Sequence, residues 1–229
     1  MNIVEFPNQT LNGGYDGLFG EVVTEDCYGI KKLDFVPDVI FDIGANVGIF
    51  TRYARSLFPK AFIVAVEPNE ENRTHLQKFT PLDDMVVISA ALGNGQVYHA
   101  TGAVNGAHEV YVSPCLGYSE KGLKENPCMV PSDVFSVSLA DIFHPHVQRG
   151  DKTLMKIDCE GGENCLWEDP ESMALLSTID YITMELHYHG AHGGEIKRLR
   201  EVTDNAINSL VDTHYIERDH IYVKARKRI

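Results

Sequence analysis

The sequence has one tryptophan and five cysteines among 229 residues, and no apolar run near the roughly 18 residues that a membrane span requires. Its cysteines (Cys27, Cys115, Cys128, Cys159 and Cys165) are odd in number and form no CxxC pair of the metal-binding type. Such usage fits reduced thiols in a cytoplasmic protein, the localisation expected here. A Cys115–Cys128 bridge in a polar stretch is the alternative, and a free-thiol count in native and reduced samples would reveal it. The segment Met1 to Thr10 carries Glu5 and Pro7 and lacks the basic-then-apolar pattern of a secretory signal. Basic residues are also scarce, with 20 Lys and Arg against 33 Asp and Glu, a net charge of −13 and a pI near 5.1. That balance disfavours nucleic acid as a partner, because a phosphate backbone requires a basic surface. The basic tail from Lys224 to Arg228 is too short to reverse it and is expected to be a solvated end.

An ordinary α/β composition remains, 44% apolar and 23% charged. From residue 38 onward, strand and helix patterns alternate. Strands are expected near 38–43, 61–66, 85–90, 134–138, 153–158, 179–186, 213–218 and 221–226, and helices near 47–58, 69–79, 162–176 and 193–211. Ile49, Phe50, Tyr53, Ala54 and Leu57 recur at helical intervals, and Pro59 stands where that helix should stop. Ile63 to Val66 is a continuous apolar run, as for a strand covered on both faces. Alternation of this kind predicts a mostly parallel sheet flanked by helices, with the last two strands forming an antiparallel hairpin whose turn lacks glycine. Residues 1–36, rich in glycine and aromatics, read as a cap or lid on a main domain spanning 37–229. The stretch 93–131, with six glycines and three prolines, reads as an insertion of loops and short hairpins that would help shape a pocket.

Three constellations carry chemistry. In Asp42-Ile43-Gly44-Ala45-Asn46-Val47-Gly48, a strand ends in an acid and passes through two glycines into a helix. The spacing departs from the GxGxxG of dinucleotide binders, yet it allows close backbone approach to a ligand. Asp42 either holds a charged amino group or serves as an acid near a helix N-terminus. Glu67 ends the next strand, where a carboxylate can accept both hydroxyls of a ribose; as a bare loop acid it would simply be solvated. The second constellation, Lys156-Ile157-Asp158-Cys159-Glu160-Gly161-Gly162-Glu163, puts Lys156 and Asp158 on one strand face at the sheet's carboxyl edge, where ligands sit in open α/β sheets. Glu163 is read there as an acid in a helical first turn, with a structural role. In the third, Glu185, His187 and His189 alternate at another strand end, with His192 beyond. A histidine so placed can act as a general base, oriented by a carboxylate, and the same HxHxxH cluster offers ligands to a divalent metal such as zinc. Metal dependence stays open at this point.

Taken together, FDIGANVGIFT at 41–51, VEPNEEN at 66–72, AALGN at 90–94, VSLADIF at 137–143, MKIDCEGGE at 155–163 and ITMELH at 182–187 resemble the FkbM-type S-adenosylmethionine-dependent methyltransferases. The match spans about residues 38–190. The resemblance implies a class I, Rossmann-like methyltransferase fold with S-adenosylmethionine as cofactor. It places Asp42, Gly44, Asn46 and Gly48 around the methionine portion, Glu67 on the ribose, Pro68 and Asn69 beside the adenosine, and Ala91 and Leu92 near the adenine. Asp158, Glu160, Glu185 and His187 would line the reaction centre. Family members often carry a small apolar residue where Cys159 stands and alanine at Gly162.

An alcohol is a poor nucleophile and gains from proton removal as the bond to methyl forms. His187 or Asp158 is the expected base, with Glu185 orienting His187. The reaction favoured is O-methylation of a hydroxyl on a small molecule or sugar. The alternatives are a macromolecular hydroxyl, such as an RNA ribose or a glycan, and a cofactor-binding module without catalysis.

Overall fold

The computed structural model describes residues 15–80, 83–100, 110–113, 129–188 and 194–228. Cys115, Cys128, His189 and His192 lie outside these, as does much of the insertion. Seven strands build the main sheet, in the order β11-β12-β10-β9-β1-β2-β3. They are β1 (Val39–Ile43), β2 (Phe62–Val66), β3 (Met85–Ile88), β9 (Thr153–Ile157), β10 (Tyr181–Glu185), β11 (His214–Asp219) and β12 (Tyr222–Lys227). Neighbouring strands from β3 through β10 pair in parallel, and only β12 runs antiparallel, between β10 and β11. The expected mostly parallel sheet with a C-terminal antiparallel hairpin is therefore present. His220, with φ of 51°, supplies the hairpin's left-handed turn residue without glycine.

Strand alternation sorts the side chains onto two faces. Phe41, Ile43, Met155, Ile157, Ile182 and Met184 pack under α4 (Leu139–Phe143), α5 (Pro170–Leu176) and α6 (Gly194–Ser209). Ile40, Ile63, Leu154 and Tyr181 face α2 (Ile49–Leu57) and the N-terminal segment, through Phe50, Tyr53, Val22, Tyr28 and Ile30. Asp42 and Lys156, one residue pair along from Phe41 and Met155 in the β1–β9 register, fall on this second face.

The boundaries differ from the sequence reading in three places. The run 85–90 divides, because β4 (Ala90–Leu92) leaves the main sheet and pairs in parallel with β8 (Phe135–Val137). The helix expected over 162–176 is a 3₁₀ turn, Gly162–Cys165, followed by α5, which starts afresh at Pro170 with Asp169 as its cap. Helix α4 was not anticipated, although Ser138 caps it by accepting the Asp141 amide, an arrangement legible in SLAD. The insertion carries a small antiparallel sheet of β5 (Gln96–Ala100), β6 (Val110–Ser113) and β7 (Met129–Pro131).

Candidate active site

The carboxyl ends of β1, β2, β9 and β10 gather the described residues of all three constellations. Between β1 and α2 (Ile49–Leu57), Gly44 adopts φ of 78°, and its carbonyl accepts a hydrogen bond from Lys156 Nζ at 2.7 Å. A Cβ at Gly44 would lie 1.8 Å from the Asp158 carbonyl oxygen, so β1 and β9 approach each other here only because the side chain is missing. Asn46 holds φ of 51°, and Gly48, at 84°, opens α2. Asp42 is wholly buried. It accepts the Thr51 hydroxyl at 2.5 Å and faces Lys156 Nζ at 3.2 Å, so the charged amine it meets is this chain's own.

Glu67, buried at the end of β2, accepts the Asn46 amide at 2.8 Å and the Asn69 amide at 2.8 Å, one on each carboxylate oxygen. Burial raises its pKa, an effect partly offset by these two backbone bonds. The Asn69 side chain caps α3 (Glu70–Phe79) by accepting from the Glu71 and Asn72 amides, while the Pro68 carbonyl accepts from Arg73. Ala91 and Leu92 are buried on β4, with Leu92 packed into the core beside Val66.

The reaction-centre candidates converge more tightly. Met184 pairs with Ile157, so Glu185 and Asp158 emerge side by side, with His187 two residues on. The His187 ring, 5% exposed, has Nε2 at 3.7 Å from Asp158 Oδ1, 3.7 Å from Glu160 Oε2 and 3.6 Å from Glu185 Oε1. Its Nδ1 lies 3.1 Å from Glu163 Oε1, which also accepts the His187 backbone amide at 2.7 Å. Glu163 thus orients the imidazole, the part expected of Glu185. Its 0% exposure and its second oxygen, which accepts the Gly161 amide, hold it in place. Glu160, with φ of 52°, turns the chain sharply off β9 toward the ring.

Two further residues join this group, and one of them, Tyr28, was absent from the sequence reading of the site. Tyr28, from the N-terminal segment, donates its hydroxyl to Asp158 Oδ2 at 2.6 Å. Lys156 Nζ lies 3.5 Å from the same oxygen, and 5.7 Å and 5.9 Å from the ring centres of Tyr28 and Phe50. No sequence spacing marks Tyr28, which is 130 positions from Asp158; Lys156 was visible as sharing a strand face with Asp158.

The charges follow from these contacts. Burial would raise the Asp158 pKa, but Lys156, His187 and the Tyr28 hydroxyl overcome it and hold the carboxyl below the usual range. Burial opposes a charge on Lys156 too, yet Asp158 and Asp42 keep it firmly protonated. Burial together with the Asp158 charge pushes Glu185 up to about 7. In His187 burial acts downward, but Glu163 and the other carboxylates carry the ring up to about 9. Among the described residues, Asp158, Glu185 and His187 present ligand atoms within 4.8 Å of one another, a grouping able to hold a metal ion.

The methyltransferase FkbM domain model matches residues 42–210, well over half of the chain. The chain belongs to the FkbM methyltransferase family. It shares 39% identity over 51 residues with the methyltransferase sdnD of Sordaria araneosa, covering 22% of this chain and 19% of that protein. It shares 38% over 52 residues with the 31-O-demethyl-FK506 methyltransferase FkbM of Streptomyces tacrolimicus, covering 22% and 20%. These matches therefore span about a fifth of each relative's length. Among solved structures, a fibrillarin/Nop5p complex aligns at a TM-score of 0.43 and 9% identity, over 90% of this FkbM-family chain and 81% of that one. A precorrin-6y C5,15-methyltransferase from Geobacter metallireducens aligns at 0.41 and 13%, over 89% and 87%. Likenesses of this size say nothing about substrate.

Proposed function

We propose that this methyltransferase moves the methyl group of S-adenosylmethionine to a hydroxyl oxygen of a small molecule or sugar. The observation that carries the reading is the convergence of three carboxylates on His187 Nε2, beside the Gly44–Gly48 turn and at the strand ends where α/β sheets take their ligands. Cofactor and proton-accepting groups would then meet at one edge.

The residues present suit the cofactor. A left-handed turn at Gly44, Asn46 and Gly48 leaves room for the methionine portion against the backbone. Glu67 Oε2 accepts the Asn46 amide and keeps a lone pair for a ribose hydroxyl, while Oε1 takes the Asn69 amide and, at 3.3 Å, the Asn72 side-chain amide. When bound, S-adenosylmethionine supplies an electrophilic methyl on a sulfonium. The chain's own task is to align the acceptor oxygen with that methyl and accept its proton. Lys156, spent on Asp42 and the Gly44 carbonyl, stiffens the floor between the two halves of the site. Oxygen as the accepting atom agrees with the named reaction of the Streptomyces relative, and a net charge of −13 opposes an RNA substrate.

Calorimetry and radiolabel transfer test this. Full-length protein should bind S-adenosylmethionine, and Glu67→Ala should weaken that affinity at least about tenfold, the equivalent of roughly 1.4 kcal/mol. Unaltered affinity in the variant overturns the ribose assignment. Tritiated methyl should appear on hydroxylated small molecules or glycosides and not on RNA; the reverse distribution overturns the acceptor class.

A further inference from the structure

We propose that Asp158, Glu185 and His187 bind one divalent cation, and that the acceptor hydroxyl is held on that cation. The role in catalysis rests on the hydroxyl-methylation reading; the binding itself does not.

Three features of the site point to a cation. The first is spacing. Ligand atoms about 2.0–2.6 Å from a shared ion stand between about 2.9 and 5 Å apart. His187 Nε2 lies 3.7 Å from Asp158 Oδ1 and 3.6 Å from Glu185 Oε1, and the three ligand atoms are all within 4.8 Å. At 3.6–3.7 Å the imidazole nitrogen is outside hydrogen-bonding range of either carboxylate, yet inside the range of ligands around one ion.

The second is outer support on the far atom of two ligands, which metal sites use to fix ligand orientation. Glu163 engages Nδ1 of His187 and so turns Nε2 inward. Tyr28 and Lys156 both engage Oδ2 of Asp158, leaving Oδ1 to face the histidine. Glu163 is fully buried and pinned by two backbone amides, those of Gly161 and His187, so the imidazole it directs is fixed independently of any substrate.

The third is charge. Asp42, Asp158, Glu160, Glu163 and Glu185 crowd one small region that, among the described residues, pairs them with Lys156 and, when protonated, His187. The Lys156 ammonium is shared among the Gly44 carbonyl at 2.7 Å, Asp42 at 3.2 Å and Oδ2 of Asp158 at 3.5 Å, so it does not meet the Asp158 oxygen that faces the histidine. One imidazole with two carboxylates is a donor set suited to manganese(II) or magnesium, with zinc as competitor.

A cation there would lower the pKa of a bound hydroxyl. The acceptor O–H bond breaks and its proton passes to Glu160, half exposed beside the cluster, and on to water. The oxygen's electron pair forms the O–CH₃ bond as the S–CH₃ bond breaks, and the sulfonium leaves as a neutral thioether. His187 is then a ligand rather than the base.

Manganese(II) is the probe. Chelator-stripped full-length protein is titrated with Mn²⁺ and free ion is followed by electron paramagnetic resonance, while S-adenosylmethionine binding is measured calorimetrically in chelator. The expected result is one Mn²⁺ per chain, weakened at least tenfold by Asp158→Asn and by Glu185→Gln. Glu163→Gln should weaken it by about ten- to a hundredfold, through the histidine's orientation. Pulsed spectra of the wild-type complex should show coupling to a single imidazole nitrogen, a readout that survives any variant failing to fold. Absence of stoichiometric Mn²⁺, absence of nitrogen coupling, or methyl transfer undiminished by chelator overturns the proposal. Cofactor binding that persists in chelator while Mn²⁺ fails to bind leaves the methyltransferase reading standing, so the two fail separately.

Discussion

Gly44 is the residue on which the two halves of the site depend. Its amide donates to Val66 and its carbonyl accepts from Lys156, so the backbone between the β1 and β2 ends is committed on both sides. Alanine would have to hold φ of 78° and place a methyl 1.8 Å from the Asp158 carbonyl oxygen, with backbone rather than a flexible side chain as the obstacle. Gly44→Ala is therefore expected to destabilise the fold by at least about 3 kcal/mol, combining strain with separation of β1 from β9. Urea unfolding measures it; a loss below about 1 kcal/mol would mean that the strands part easily here and that the glycine serves only ligand access. The Gly48 turn is less demanding, since the obstacle to a Cβ is the Leu76 side chain.

At the scale of elements, β11 is fastened to the sheet's interior by His214. Its buried ring places Nε2 2.8 Å from the Ile179 carbonyl, which can only accept, so that nitrogen carries the proton; Nδ1 faces the Thr213 hydroxyl at 2.8 Å. Burial lowers this histidine's pKa from 6.5, the Ile179 carbonyl opposing only in part. The folded state thus prefers the neutral ring, and the unfolded chain binds the proton more readily. Its contribution is present above pH 6.5 and is lost as pH falls below it. Urea midpoints at pH 7.5 and 5.5 should differ more in wild type than in His214→Gln; equal differences would dissociate the histidine from acid sensitivity. The elements themselves were largely legible from the sequence, because β1, β2, β9 and β10 are apolar runs and α2 shows helical spacing ending at Pro59. What escaped were features set by tertiary pairing. The run after Met85 divides because β4 finds β8 45 positions away, a partner that no local pattern announces. Glu163 looked like an acid in a helical first turn, and its partner His187 is 24 positions off, beyond the end of β10. The grouping of Asp158, Glu185 and His187 was readable through the family resemblance, helped by the place of Asp158 and Glu185 at the carboxyl ends of β9 and β10.

For the molecule as a whole, the N-terminal segment meets the acidic centre through Tyr28. Its ring lies edge-on to Phe50 at 5.4 Å and to Tyr222 at 5.9 Å, and covers Lys156 at 5.7 Å. Its carbonyl accepts the Tyr181 hydroxyl, and its own hydroxyl bonds Asp158. Around it, Tyr222 donates to Glu21, which ties the segment to β12 as well. Ring and hydroxyl therefore do different things: the ring fills a core that includes α2, and the hydroxyl holds a charged group of the site. Tyr28→Ala should cost about 3–5 kcal/mol, the usual loss for emptying a buried aromatic position. Tyr28→Phe keeps the ring and surrenders one hydrogen bond to a carboxylate, worth about 2 kcal/mol. Urea unfolding of the two variants separates the contributions. Equal losses would make the bond to Asp158, rather than the packing against Phe50 and Tyr222, the contact that fastens the segment to the site.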